Sequence, residues 1–186
     1  MNNLFTGKLT RLVAGDPETV GELYAKWSRD SEFLQLWDTD PPMIRDVKKT
    51  QEWFRKEEEK ARPGNFGFLI ERLQDGRRIG MVGLWDTQNQ HRSAFVSIGI
   101  GEREFWGKGY GSDAMNLILQ FAFRESNLHR VNLYTFAVNP RAIRSYERVG
   151  FVREGNVRGA MLRYGKRGDH VFMGILRDEW ENKNRE

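Results

Sequence analysis

Cysteine is absent from the 186 residues, which excludes a disulfide scaffold, a thiolate metal site and a cysteine nucleophile. No apolar run approaches the roughly 20 residues that a membrane-spanning helix requires. The mean hydropathy is −0.68, and no membrane partner is expected. Long blocks of like charge are missing too: Lys48–Lys60 reads KKTQEWFRKEEEK, with both signs along it. Lys+Arg 30 against Asp+Glu 26 leaves a net charge of +4, with a pI of about 9.4. Charge so interspersed serves solubility and mildly favours anionic ligands. No nucleic-acid partner is expected, since such a binder needs a basic stripe and steeply salt-dependent affinity. Met1 to Lys8 lack the charged segment and apolar core of an export signal, so a cytoplasmic location is the expectation. Repeats, low-complexity tracts and linkers are absent as well, which predicts a single domain over 1–186 with its core at about 9–180.

What is present is a large stock of bulky side chains: 39% of residues are apolar and 12% aromatic, among them 6 Trp and 12 Phe. Such a chain collapses around a core. Leu9–Ala14 alternates as a first strand. Asp16-Pro17 then opens a helix, a carboxylate ahead of a proline at the first helical position, with Val20, Leu23, Tyr24 and Trp27 on its inner face. A second helix runs from about Asp46 to Ala61, after Pro41-Pro42. Phe66–Leu73 and Arg78–Trp85 flank Asp75-Gly76 as a hairpin, and Ser93–Ile100 is a further strand beyond the polar loop Asp86–Arg92. Ser112–Glu125 is helical and Val131–Val138 is a strand, so the strands on either side of that helix lie parallel through a right-handed crossover. Asn139-Pro140 opens the next helix and Gly150 closes it. Phe151–Tyr164 and His170–Leu176 form a last hairpin around Gly165 to Gly168, and Arg177–Lys183 a terminal helix. The order is strand, two helices, three strands, helix, strand, helix, two strands, a mixed α/β sheet.

The segment with chemical content joins the central strand to its crossover helix. Glycines at 107, 109 and 111 alternate immediately before an apolar helix, where the backbone turns tightly and brings successive N–H groups towards a ligand. The helix start adds unpaired amides and a positive dipole end, and Lys108 adds charge; a phosphate or diphosphate is the natural guest. The dinucleotide fingerprint fails, because its third glycine position holds Glu104 when counted from Gly99 and Ser112 when counted from Gly107. The P-loop pattern fails at Glu102 and Gly109.

The run Trp106-Gly-Lys-Gly-Tyr-Gly111 resembles the acyl-CoA diphosphate loop of the GCN-related N-acetyltransferase (GNAT) superfamily. The run Asn139-Pro-Arg-Ala-Ile-Arg-Ser-Tyr-Glu-Arg-Val-Gly-Phe151 resembles its second hallmark, at the matching spacing. The closing segment, from Glu154 through Trp180, is similar to the branch of ribosomal-protein-alanine N-acetyltransferases and spermidine acetyltransferases. One position departs: the general loop has Gln or Arg where this chain has Trp106. The resemblance covers about Leu9 to Trp180. It implies an α/β (α+β) fold, a mixed, mostly antiparallel seven-stranded sheet with a splayed central parallel strand pair and flanking helices. It also implies acetyl-CoA as co-substrate and no metal. Its contacts would be Ile98, Gly99 and Ile100 on the first splayed strand, then Trp106, Gly107, Lys108, Gly109, Tyr110, Gly111 and Ser112 in the loop, and Asn139, Ala142 and Tyr146 beyond it.

By periodicity alone Tyr146 is a core aromatic, three residues from both Ile143 and Val149. The resemblance makes it the catalytic acid that protonates the departing sulfur, a thiol with a pKa near 8.5. The acceptor is a primary amine, on a protein N-terminus or a small molecule. An alkyl ammonium titrates around 10.4 and must lose a proton before it attacks. Asp86, Glu102 and Glu104 lie near the loop in sequence as candidate bases, each equally readable as surface charge. His91, His129 and His170 have no metal-ligand spacing and read as loop or surface residues. Trp27, Phe33, Leu36 and Trp37, followed by Asp38 and Asp40, fall where relatives cover the acceptor site. They read equally as a packed helix with a polar exit. Without cysteine, direct transfer in a ternary complex is expected rather than a cysteinyl relay. A catalytically silent acyl-CoA-binding or sensing module is the alternative, and a homodimer is compatible with either.

Overall fold

An aspartate opens each of the first three helices. Asp16 accepts the Thr19 amide at 2.8 Å ahead of α1 (Pro17–Trp27), and Asp30 accepts the Glu32 and Phe33 amides ahead of α2 (Ser31–Trp37). Asp46 accepts the Lys49 amide at 3.0 Å ahead of α3 (Val47–Glu59). Each cap satisfies amides that a first turn leaves orphaned and sets negative charge at the positive end of the helix. Periodicity predicts two helices here and the structure has three. The extra one, α2, is only seven residues long, about two turns, and no proline marks its start. These features belong to a computed structural model that describes residues 3–60, 63–163 and 165–185. Met1 at the start, Ala61 at the predicted end of the second helix and Tyr164 at the predicted end of a strand lie outside the described residues.

The strands β1 (Thr10–Val13), β2 (Phe66–Arg72), β3 (Arg78–Gln88), β4 (Ser93–Ile100), β5 (Arg130–Phe136), β6 (Val152–Arg163) and β7 (Lys166–Leu176) form one sheet. Its order is β1-β2-β3-β4-β5-β7-β6. Every neighbouring pair is antiparallel except β4–β5, whose parallel pairing follows from the crossover through α4 (Tyr110–Gln120). This is the predicted mixed sheet. Two lengths differ. β3 continues to Gln88 past Asp86, which takes φ 50 at an irregularity, and β7 begins at Lys166. The predicted helix Ser112–Glu125 is α4 followed by a wide π turn over Phe121–Glu125; Arg177 donates to the Phe123 carbonyl within that turn and to the Leu128 carbonyl beyond it. The last two helices are α5 (Pro140–Val149) and α6 (Arg177–Lys183).

Strand alternation sends two sets of side chains to opposite faces. Ala94, Val96, Val131 and Leu133 share a buried cluster with Ala114, Met115 and Ile118 of α4. Burying one such aliphatic side chain contributes about 1.5–3 kcal/mol, so this face anchors the crossover helix. On the other face Tyr24, Trp27, Phe33 and Leu34 form a second cluster with Trp37 and Met81. Glycines let α1 and α2 lie directly on β4: a Cβ at Gly99 would stand 2.3 Å from the Trp37 ring, and one at Gly101 2.0 Å from Trp27. Among the described residues no helix is long and apolar enough to cross a membrane.

Asp113, in the first turn of α4, staples the segment before β1. Its carboxylate accepts the amides of Lys8, Leu9 and Thr10 at 2.9–3.0 Å and the Thr10 hydroxyl at 2.7 Å. Thr10 is fully buried, so its N–H has no other recourse. Asp113→Ala is expected to destabilise the protein by about 2–3 kcal/mol. A lowering of Tm of roughly 5–10 °C, read by thermal melts, checks this.

Candidate active site

The pairing of β4 with β5 stops early. Ser93, Ala94 and Phe95 oppose Arg130, Val131 and Asn132, and beyond them β4 stays with β3 to Ile100 while β5 stays with β7 to Phe136. The facing edges over Val96–Ile100 and Leu133–Phe136 therefore carry backbone groups without ladder partners, which a ligand with amide groups can satisfy. A cavity of about 390 Å³ opens in this fork, lined along one edge by Val96, Ser97, Ile98, Gly99 and Ile100. Its size is that of an ordinary small-molecule site.

The loop after β4 closes one end. A short 3₁₀ turn over Arg103–Phe105 leads to Trp106, and Gly107 and Gly109 take φ 74 and 89, a region in which L side chains are strained. Gly109 is the cap residue of α4 and offers no side chain to its first amides. The amides from Gly107 to Ser112 donate to no acceptor among the described residues. Consecutive free amides at a helix start make an anion-binding nest. Gly107, Gly109, Gly111 and Ser112 line the cavity, whereas Lys108 and Tyr110 do not. Lys108 is exposed with its Nζ 6.0 Å from the Phe105 ring, and the Tyr110 hydroxyl accepts from Arg72 Nε at 3.2 Å. The nest therefore presents main-chain amides to the cavity, without the Lys108 ammonium beside them. Trp106 turns inward: its Nε1 donates to the Ile100 carbonyl at 2.6 Å, and the Arg141 guanidinium lies 4.0 Å from its ring centre. Ile100 thus has one carbonyl lone pair already used, which leaves Ile98 as the freer partner for an amide-bearing arm.

The opposite wall comes from α5. Asn139 caps it, accepting the Ala142 amide at 3.1 Å, and its Nδ2 donates to nothing among the described residues. Ser145 meets Ser112 at 2.8 Å, tying this wall to the nest. Tyr146 is half-buried against Phe151, with ring centres 6.0 Å apart, and its hydroxyl has no hydrogen-bond partner among the described residues. Burial pushes its phenol up to about 12. It therefore holds its proton throughout the physiological range. The ring packs against the core, as periodicity predicts, and Tyr146 also lines the cavity.

The candidate bases fare differently. Burial works to raise the Glu102 carboxyl, but Lys26, the Trp27 indole N–H at 3.0 Å and Arg77 outweigh it and hold it below the usual range. Glu104 pairs with Arg77 at 2.8 Å, and Asp86 is exposed. None of the three lines the cavity. His91 and His129 are exposed as expected, but His170 is in β7, half-buried and stacked on Tyr134 at 5.3 Å. Alternation in a strand put it there, a signal hidden because the sequence boundary of β7 falls on His170 itself.

Phe33, Leu36 and Trp37 line the cavity and Trp27 is buried behind them. Arg163 of β6 holds this cover down, donating to the carbonyls of Gln35, Asp38 and Thr39, the orphaned C-terminal end of α2. Sequence reasoning missed Trp85, Tyr134 and Phe136, which alternate on the open face of β3 and β5. It also missed Arg141, Arg144 and Arg148, spaced three and four apart on α5. Only the fork between the strands brings these two sets together. Among the described residues no group of three or more His, Cys, Asp or Glu could hold a metal ion.

Comparison with known proteins follows the same lines. YdaF of Bacillus subtilis (strain 168), provisionally described as a ribosomal N-acetyltransferase, is 32% identical over 111 residues, 60% of each chain. The spermidine N(1)-acetyltransferase of Vibrio cholerae serotype O1 is 34% identical over 117 residues, 63% of this chain and 66% of that one. The chain thus spans about three-fifths to two-thirds of these curated relatives. A crystal structure of the Vibrio cholerae spermidine N-acetyltransferase in complex with CoA and spermine superposes with a TM-score of 0.77 at 27% identity, covering 92% of this chain and 96% of that chain. Residues 10–152 match the family model described as an acetyltransferase (GNAT) domain, and with the forked strands and the open amide nest in place the chain belongs to the GNAT acetyltransferase family.

Proposed function

We propose that the chain is an N-acetyltransferase, acting as one acyl-CoA N-acyltransferase domain, that moves the acetyl group of acetyl-CoA to a primary amine by direct attack in a ternary complex. The acceptor is a small amine or a protein N-terminus. The observation that carries this reading is that the free amides of 107–112, the unpaired edge of β4 and the unpartnered Tyr146 hydroxyl converge on one cavity. Acetyl-CoA, when bound, supplies an activated thioester.

The residues of this chain fit the parts of that molecule. The nest at Gly107–Ser112 would hold a diphosphate, the edge at Ile98 and the Asn139 Nδ2 would pair with an extended amide-bearing arm, and Tyr146 would serve as the donor to the sulfur. A phenol at about 12 opposite a thiol near 8.5 holds its proton by roughly 5 kcal/mol. Tyr146 therefore acts by donating a hydrogen bond to the sulfur as negative charge builds there, and the proton released by the amine closes the balance. No carboxylate lines the cavity among the described residues, so as the C–N bond forms and the C–S bond breaks that proton passes through water to the departing thiolate and gives the free thiol.

Acetyl-CoA titrated into the folded protein should bind, and amines should release free thiol. Because the Tyr146 phenol is raised, it stays in its donating form as pH climbs, while the neutral fraction of the amine grows. We expect kcat/KM for the amine to rise steadily from pH 7 to 9.5. A decline centred below pH 9 would contradict the assigned role of Tyr146. Binding without thiol release from any amine would leave a silent binding module instead.

A further inference from the structure

The walls of the cavity that face α2 carry information about the acceptor. Phe33, Leu36 and Trp37 line it from α2, Trp85 from β3, and Tyr134 and Phe136 from β5. The aromatic surface continues along the sheet: Trp85 stacks on Phe95 at 4.9 Å, and Tyr134 meets Phe172 at 5.8 Å and His170 at 5.3 Å. Among the described residues no aspartate or glutamate lines the cavity, and the charged ones that do, Arg141, Arg144 and Arg148, are cationic and form no ion pair.

The nearest acids are mostly spent. Asp30 and Glu32, at the start of α2, are held by Arg103 at 2.5 and 2.6 Å. Asp38 directly follows Trp37; its Oδ1 accepts the amides of Thr39 and Asp40, and its Oδ2 accepts nothing among the described residues. After burial, the Asp38 charge is what holds the Tyr134 phenol above its usual value, so this carboxylate stands near the aromatic wall. One anion at the rim can receive the acceptor's single ammonium before it sheds its proton and enters.

We propose that the acceptor is a primary monoamine carried on an aromatic body, an arylalkylamine, and not a polyamine. This rests on the acetyl-transfer reading above. An amine must be neutral to attack, so its reacting end enters without charge. A polyamine carries further ammonium groups along its length, and ring faces attract a cation only modestly. In this cavity those groups also meet the guanidinium groups of Arg141, Arg144 and Arg148, with no carboxylate among the described lining residues to pair them. An aromatic body meets offset and edge-on rings that favour it.

The test is a thiol-release panel on the purified full chain with acetyl-CoA, comparing 2-phenylethylamine and tryptamine with spermidine, spermine, propylamine and a short peptide bearing a free N-terminus. We expect kcat/KM for 2-phenylethylamine to exceed that for spermidine and for propylamine by at least tenfold. Leu36→Glu sets a carboxylate on the half-buried wall. It is expected to raise the spermidine-to-phenylethylamine ratio at least tenfold, with KM for acetyl-CoA unchanged. Spermidine or the peptide turned over as well as the aryl amine overturns the acceptor class and leaves acetyl transfer standing. Absence of acetyl-CoA binding overturns the transfer reading itself and the acceptor class with it.

Discussion

Tyr146→Phe is expected to lower kcat by about 100- to 1,000-fold while leaving KM and Kd for acetyl-CoA within a factor of two. The substitution removes one oxygen and keeps the ring that packs near Phe151, 6.0 Å between centres, so the core of α5 is retained. The hydroxyl has no partner among the described residues, and its loss orphans none of them. What disappears is the donor facing the sulfur as charge develops there, an interaction made in the transition state and not in the ground state. The split between kcat and binding is what separates this role from packing, because a packing defect would lower Tm and weaken acetyl-CoA together. Full turnover in the variant would remove Tyr146 from the chemistry.

The second large effect belongs to the loop. Gly109→Val places a β-branched residue at φ 89, and relief of that strain turns the peptide planes that aim the amides. We expect acetyl-CoA affinity to fall at least 100-fold by calorimetry. Gly111 provides the contrast. It lies in α4 without a positive φ, and a Cβ there would meet only the Ile100 side chain, at 3.8 Å. The fold does not require glycine at this position, and alanine is the better helix former by about 1 kcal/mol. Gly111→Ala is therefore expected to raise Tm by about 2–4 °C and still weaken acetyl-CoA at least tenfold, because the methyl group stands where a diphosphate must approach the backbone. Unchanged affinity in both variants would show that the diphosphate sits elsewhere.

Much of this was legible before any coordinates. Asp16-Pro17 and Asn139-Pro140 mark helix starts with a side-chain acceptor and a preset φ, and both caps form. The strand Ser93–Ile100 and the helix Arg177–Lys183 match to the residue. The glycine triplet marked a run of open amides because a nest needs only a few consecutive residues, and the resemblance of the Asn139–Phe151 run singled out α5, which lines the opposite wall of the cavity. What escaped was non-local. The seven-residue α2 owes its place to Gly99 and Gly101 beneath it and to Arg163 across from it. His170 reads as a surface residue in a polar stretch until β7 pairs it with Phe136.

The chain by itself determined the family, through the resemblance of two short motifs, the order of its strands and of every helix but α2, and the loop whose amides stand open, since such motifs are written in consecutive residues. Only the tertiary structure decided which carboxylates are already paired and what lines the cavity. Glu102 is near the loop in sequence, yet Lys26, Trp27 and Arg77 converge on it from α1 and the β2–β3 turn and take it out of play. The aromatic wall likewise comes from α2, β3 and β5, brought together only because two parallel strands part after three residue pairs. A carboxylate's availability and a cavity's lining depend on neighbours distant in sequence, and distance in sequence is what folding removes.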